Sequence, residues 1–404
     1  MNINIETLYK IANKPVRKII GLMSGTSFDG LDIALCEFSG TGLDTRVKVR
    51  EFISRGYQSE FKEDLKSVFA KKLADLEKVT QLNAFIGSYY ANLILESLME
   101  WGVNPDEIDL IASHGQTIYH APKHQHPDSK YSNATLQIGD GDHLAVKTGI
   151  ITISDFRQKH VAAGFEGAPL SVYGDYLLFS DPNENRIMLN IGGISNFTFL
   201  PSAYSTDFFS SDVGPGNTLM DQFVQLNYPG KYFDENAAIA SQGIVNETLL
   251  KALFDHSFFK SGFPKTTGPE LFSLTYLNEA MKKSALSFVS KEDTLATLAK
   301  FTAGSIAQAI LECVQGKGSY EVYISGGGMH NPLLSAMLEE QLDKKLKFTS
   351  DLGIIPDAKE AVLFALLANE AVAGGKTNFG THPGVPSISM GFCVARTKNG
   401  SSSV

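Results

Sequence analysis

At 404 residues the chain exceeds what one ordinary hydrophobic core holds, and a prior of roughly 150 residues per domain points to two domains. A composition 43% apolar and 20% charged is that of a folded globular protein and argues against disorder. The net charge of −9, without any Lys or Arg run longer than a pair, argues against a general nucleic-acid binder.

The N-terminal segment MNINIETLYKIANKPVRKII carries charges throughout and has neither an apolar h-region nor a small-residue cleavage site. No stretch of about 18 uncharged apolar residues could span a bilayer, so the expectation is a cytoplasmic enzyme that works apart from membranes. Residues 18–21 and 31–38 predict two strands joined by a turn rich in glycine and serine. From 76 to 101, Leu82, Ile86, Tyr89 and Leu93 recur at helical spacing. A short strand over 109–113 stops at His114, and another over 150–154 leads into the glycine-rich stretch 162–169.

A second cycle follows. Residues 186–192 and 195–200 predict a hairpin around Gly192-Gly193. Leu295, Leu298, Thr302, Ile306, Ala309 and Cys313 line one face of a helix, with Asp293 as its expected N-cap. A strand over 321–325 runs into Gly326-Gly327-Gly328, and Asn331 and Pro332 suit the N-cap and N1 positions of the next helix. An amphipathic helix over 358–373 carries Glu360. Each half opens with strand, glycine turn, strand, which predicts an α/β protein of two pseudo-duplicated domains. The expected division is 1–154 with a returning segment 380–404 as domain I, and 155–379 as domain II. The tail NGSSSV is expected to be disordered. Cys36, Cys313 and Cys393 are widely spaced in apolar stretches, which suits buried free thiols in a reducing compartment.

Several segments carry chemistry, each with a plainer reading beside it. In GLMSGTSFDGLD (21–32), small residues let backbone N–H groups approach an anion, and Ser24, Thr26 and Ser27 add hydroxyl donors. Asp29 and Asp32 suit such a site if Mg²⁺ intervenes; a decorated hairpin fits equally well. Asp212 in SDVGPGN is placed to act as a general base, or to cap the helix starting near Thr218. Gly326 to Gly328 fit a nucleoside approach or a tight turn. His114, His120, His124 and His126 lack helix-borne metal-ligand spacing and read as a solvated loop. Asp155-Phe156-Arg157 offers an Arg for an anionic substrate or for a surface ion pair. Gly375-Lys376-Thr377 lacks the glycine spacing of a Walker A loop.

Taken in order, GLMSGTSFDGLD, SHGQTIYH, LQIGD, DFR, GAPL, LNIGGISN, DVGPGN, PKTTG and SGGG resemble the anhydro-N-acetylmuramic acid kinases over nearly the whole chain. Levoglucosan kinase is similar to the same family. The resemblance implies the two-domain actin/hexokinase-like (ribonuclease H-like) fold, with ATP and sugar in an interdomain cleft, and a homodimer. It implies ATP-dependent opening of a 1,6-anhydro sugar by water at C1 with phosphorylation of O6, giving N-acetylmuramic acid 6-phosphate during cell-wall recycling. It further implies Asp212 as general base and Glu360 as a carboxylate near the reacting groups or Mg²⁺, with Asp29 also toward the metal. Gly25, Thr26, Ser27, Asp29, Gly30 and Asp32 fall in its ATP-phosphate segment. Asn190, Gly192, Gly193, Gly326, Gly327 and Gly328 belong to its ATP site. His114, Arg157, His160, Glu166, Gly214 and Asn217 fall on its sugar side, with Arg157 toward the lactyl carboxylate.

The chain departs from the family pattern in three places. His160 replaces an Asp, and Gly164-Phe165-Glu166-Gly167 replaces a Gly-Gly-Gln-Gly run. Both changes are expected to reverse hydrogen-bond roles beside the sugar. The ending PSISMGFCVARTKNG follows the family only loosely. Another anhydro sugar such as levoglucosan, or a non-catalytic nucleotide sensor on the same fold, therefore stands beside the leading expectation.

Overall fold

Strands β1 (Arg17–Ser24) and β2 (Gly30–Ser39) flank the glycine- and serine-rich turn and pair antiparallel, with Gly21 opposite Ala34. These coordinates are a computed structural model that describes residues 2–374 except 127, 129 and 287, together with 377 and 379. β3 (Arg46–Gly56) continues the meander antiparallel to β2, and β4 (Leu110–Ala121) lies parallel to β1 on its other side. β4 does not stop at His114. It runs on because β5 (Ala134–Ile138) pairs antiparallel with its second half, while the two-residue β6 (Thr152–Ile153) pairs parallel with its first.

The second sheet repeats the plan. β7 (Asn185–Ile191), β8 (Ile194–Leu200) and β9 (Phe209–Pro215) form an antiparallel meander. β10 (Tyr320–Ser325) returns parallel to β7, and β11 (Lys347–Phe348) parallel to β10. In each sheet, therefore, three strands meander, a fourth returns beside the first, and a two-residue strand (β6 or β11) lies parallel to the fourth; the first sheet adds β5, antiparallel to β4. That order is the ribonuclease H-like half of the expected actin/hexokinase-like fold, present here twice. The hairpin expected around Gly192-Gly193 is the β7–β8 turn.

The chain divides into two compact units, one running to Leu178 and resuming at Gly353, the other spanning Phe179–Leu352. In the first, Ile20, Leu22, Ile33, Ile86, Tyr90 and Ile111 form a core between the sheet and the helix Leu76–Glu100. In the second, Ile187, Leu189, Val322 and Ile324 pack against Ile306, Ile310 and Cys313 of the helix Lys291–Val314. The opposite flank of that helix carries Leu295, Leu298 and Phe301 into another cluster with Phe223, Leu249 and Phe272. A helix covered on both sides is apolar nearly all round, which is why its sequence pattern is broad.

Its N-cap is Ser290, not Asp293. Ser290 has extended backbone angles and its Oγ accepts from Asp293 N at 3.0 Å, while Asp293 Oδ1 accepts instead from Ile244 N at 2.7 Å. Asn331 caps the helix Pro332–Leu342, with Pro332 at its start. Cys36 and Cys313 are free and buried, one in each unit. Among the described residues no helix is long and apolar enough to cross a membrane. The expectations for 380–404, for the tail, for Cys393 and for most of Gly375-Lys376-Thr377 lie outside the described residues.

Candidate functional site

In the first unit the β1–β2 turn exposes Thr26, Ser27 and Asp29 while burying Phe28. Phe28 adopts a left-handed backbone (φ 59°), a costly conformation for a bulky residue, and its ring meets Phe69 edge-on at 5.0 Å. The turn is thus a hairpin with its polar groups outward and a hydrophobic anchor inward. Beneath it, Gln116 of β4 accepts from Ser24 Oγ at 2.5 Å and donates to the Gly25 carbonyl at 3.2 Å. Tyr57 Oη lies 2.7 Å from Ser24 Oγ and 2.9 Å from Tyr90 Oη, extending a buried network below the turn. Gly30 is close against the Arg55 carbonyl, where a Cβ would stand at 2.4 Å.

The helix Lys359–Ala373 brings Glu360 to this hairpin. It approaches β1 so closely that a Cβ on Gly21 would lie 1.9 Å from the Ala361 carbonyl oxygen. Its far end is tied by Arg17 Nε to Asn369 Oδ1 at 2.6 Å and Gly42 N to Glu370 Oε1 at 2.6 Å. Near its start, Lys359 Nζ lies 2.8 Å from Asp175 Oδ1, with Asp175 nearly buried. Burial raises the Glu360 carboxyl above the usual carboxylate range; Arg157 and Lys359 oppose the rise and Asp32 adds to it. Its side chain still reaches solvent, so it is crowded yet accessible. Asp32 is raised chiefly by burial and further by Asp357 and Asp29, against a hydrogen bond from Ser54.

Carboxylates that raise one another suit a cation. Among the described residues no three His, Cys, Asp or Glu side chains group to hold a metal unaided. Mg²⁺ commonly takes one or two carboxylates and completes its shell with phosphate oxygens and water.

Also in the first unit, Arg157 Nε donates to His114 Nε2 at 3.0 Å and Arg157 Nη1 to the Gly167 carbonyl at 2.7 Å. His114 is buried, and its Nδ1 faces the Gly115 carbonyl at 2.9 Å. Burial and the Arg157 charge hold its imidazole well below the usual range, against the Gly115 contact. His160 is buried as well, packed against Phe165 and Tyr173, and its Nδ1 accepts from Gly167 N at 3.0 Å. At Nδ1, therefore, His160 keeps an acceptor role toward the Gly167 amide. The imidazole accepts at this nitrogen, as a carboxylate would. Glu166 turns outward to an exposed pair with His124 at 3.0 Å. Asp155 has a left-handed backbone (φ 64°), and its carboxyl is raised by burial and by Asp140.

In the second unit, Asp212 does not cap a helix. Its Oδ2 accepts from Thr267 N at 2.8 Å, and its own N–H donates to the Lys265 carbonyl at 3.0 Å. Ser211 binds the same stretch, its Oγ accepting from Lys265 N at 2.9 Å. The PKTTG segment thus lies along β9 and fixes the Asp212 side chain. Burial raises the Asp212 carboxyl and nearby Glu270 adds to that, while the Thr267 N–H opposes. The helix Thr218–Asn227 is entered through Asn217 instead.

Asn190, Gly192, Gly193, Asn217 and Gly326 to Gly328 meet at the ends of β7 and β10. The carbonyls of Gly192 and Gly193 accept from the amides of Asn217 and Gly216 at 2.8 and 2.9 Å. Gly326, with φ 83°, leaves no room for a Cβ beside Asn190, and Gly328 none beside Ile191. Gly214 is likewise tight against Ser305. A recess of about 480 Å³ opens next to this cluster, lined by Asn217, Met220, Asp221, Phe233, Asn236 and Gly327 among others. Burial pushes the Asp221 carboxyl up to about 6. Asp221, Phe233 and Asn236 carry no sequence signal, whereas Gln116 and Thr267 sit inside the segments SHGQTIYH and PKTTG.

The family model described as Anhydro-N-acetylmuramic acid kinase matches residues 17–389. A protein of that name from Pseudoalteromonas atlantica is 53% identical over 97% of this chain and 98% of its own. Another from Pseudoalteromonas translucida is 51% identical over 97% and 98%. A third, from Caldanaerobacter subterraneus subsp. tengcongensis, is 40% identical over 93% and 96%.

Proposed function

The chain belongs to the anhydro-N-acetylmuramic acid kinase family, and from that premise we propose how its residues divide the work of an ATP-dependent anhydro-sugar kinase. The activity is a phosphotransfer to 1,6-anhydro-N-acetylmuramic acid. Near-full-length relatives bearing that name favour it over levoglucosan phosphorylation or a sensor role.

The anhydro bridge joins C1 to C6 through one oxygen, so no 6-hydroxyl is free to accept a phosphoryl group. Asp212 takes a proton from water as that water's oxygen bonds to C1. The C1–O6 bond breaks, O6 bonds to the γ-phosphorus, and the bond from that phosphorus to the β–γ bridging oxygen of ATP breaks, so that ADP leaves carrying the latter oxygen. One proton is released overall, and the sugar ends with a hydroxyl at C1 and phosphate on O6.

The observation that carries this assignment is the Asp212 carboxylate. One oxygen is pinned by the Thr267 N–H, which aims the other, and burial raises its proton affinity toward the range useful in a base. The β1–β2 turn holds the phosphates through its outward N–H and hydroxyl groups, and the recess beside Gly327 takes the nucleoside. Glu360, with Asp29 or Asp32, would hold Mg²⁺, whose charge offsets that of the phosphates. Arg157 receives the lactyl carboxylate. The proposal includes a cytoplasmic setting and a homodimer.

A coupled ADP-release assay on purified 1,6-anhydro-N-acetylmuramic acid tests the assignment. Asp212→Asn is expected to lower kcat by about 10² to 10⁴ with KM for ATP little changed. A variant with full activity removes Asp212 from its role.

A further inference from the structure

Arg157 has five N–H donors, of which its protein contacts use two. The use of Nε is uncommon in kind: its partner is an imidazole nitrogen rather than a carboxylate or a carbonyl. For His114 Nε2 to accept, the imidazole must be neutral with its proton on Nδ1. The Gly115 carbonyl 2.9 Å from Nδ1 is the acceptor that fixes this tautomer. Burial and the adjacent guanidinium both keep the ring from taking a second proton.

The ring itself is held. Phe364 packs on it with centroids 4.7 Å apart, and Phe156 packs on Phe364 at 5.4 Å. Phe364 stands one turn beyond Glu360 on the helix Lys359–Ala373. On the other side of Arg157, the Gly167 peptide is fixed from both ends. Its carbonyl takes Nη1 and its N–H is held by His160. A Cβ on Gly167 would stand 3.0 Å from Val161 Cγ2, at a φ of 84°. The guanidinium is therefore gripped along its Nε and Nη1 edges, and no described residue accepts from Nη2.

We propose that His114 is a positioning residue for substrate selection: its neutral Nδ1–H tautomer locks the plane of the Arg157 guanidinium, so that the unspent Nη2 edge meets the carboxylate of the sugar's lactyl ether. This rests on the assignment of Arg157 to that carboxylate. His114 spends both ring nitrogens on the protein and does not itself touch the sugar. A free Arg side chain loses substantial rotamer freedom on binding, and a preset guanidinium has already lost it.

Steady-state kinetics of His114→Gln and His114→Asn test this on two substrates, 1,6-anhydro-N-acetylmuramic acid and 1,6-anhydro-N-acetylglucosamine, which lacks the lactyl group. The glutamine keeps an acceptor at the distance of Nε2. The asparagine keeps only a donor toward Gly115. For the lactyl substrate, His114→Asn is expected to raise KM roughly tenfold, the scale of one lost charge-assisted contact, and His114→Gln to recover most of it. KM for ATP, and kcat/KM for the substrate without a lactyl group, should stay within about twofold for both variants. Equal losses on both substrates, or no change in His114→Asn, overturn the proposal. Arg157→Met separates the two layers. If it leaves KM for the lactyl substrate unchanged, the assignment of Arg157 falls and the proposal with it. If it raises that KM while His114→Asn does not, only the role of His114 falls.

Discussion

Replacing Gly21 by alanine probes a contact on which two parts of the first unit depend. The added Cβ would lie 1.9 Å from the Ala361 carbonyl oxygen and 2.9 Å from its carbon. An ordinary contact needs about 3.5 Å, so the helix Lys359–Ala373 would have to retreat by roughly 1.5 Å or tilt about its far end. That far end is held by Arg17 and Gly42, so the movement concentrates at the start of the helix, where Glu360 immediately precedes Ala361. Overpacking of this kind costs about 1–3 kcal/mol of stability. A displacement of about 1 Å in a reacting or metal-holding group can cost about 10² in rate. Gly21→Ala is therefore expected to lower both the thermal midpoint and kcat, the latter by at least about tenfold. The assays are thermal unfolding by circular dichroism and coupled ADP release. Gly304→Ala is the control: its Cβ would meet Phe254 Cζ at 3.0 Å, a ring edge that can give way. It should cost some stability and leave kcat alone. A Gly21→Ala enzyme with a lowered midpoint and unchanged kcat would refute the link from Gly21 to Glu360. An unchanged midpoint would refute the packing account itself.

Two other outcomes follow from buried charge. The Asp221 carboxyl is raised to about 6, so the folded state holds its proton more tightly than the unfolded chain, and stability declines as pH rises from about 3.8 through 6. Asp221→Asn should stabilise the fold at pH 7.5 by of order 1 kcal/mol after allowance for partial exposure, read as a raised thermal midpoint, and change little at pH 3.5. A stabilisation of equal size at both pH values would show a packing effect instead. Asp175→Ala removes the 2.8 Å carboxylate partner of the half-buried Lys359 ammonium and should cost about 1–3 kcal/mol in urea unfolding. A loss below about 1 kcal/mol would mean that water replaces the carboxylate.

The strands on either side of both glycine turns, the long helix after Asp75 and the Asn331-Pro332 start were legible because their signals are local: alternation, helical spacing, a cap followed by proline. The longer course of β4 was not, because its second half depends on pairing with β5. Asp293 looked like a cap, but Ser290 three residues earlier already had the extended backbone and Oγ to do it. The site divides in the same way. Local composition marked the turn at 25–29 and the clustered glycines of β7 and β10, and the structure gathers the latter in one place. It could not show that Gly21 serves the helix bearing Glu360, since the two are far apart in sequence. Nor could it show that His114 is spent on Arg157, that Thr267 pins Asp212, or that Asp212 leaves the helix at Thr218 uncapped.

The two buried thiols give each unit its own reporter. Cys36 lies in the first sheet with no exposed surface, and Cys313 lies against the second at 3% exposure. Burial raises both thiols, Cys313 to about 12, so neither ionises appreciably while its unit stays closed. In a Cys393→Ser background, alkylation in native buffer therefore requires opening, and mass mapping of the two modified peptides reads each unit separately. If ATP closes down fluctuations mainly in the second unit and the sugar mainly in the first, the label will move between Cys36 and Cys313 as each ligand is added. Ligand-dependent breathing of either half then becomes measurable without a probe attached to the surface.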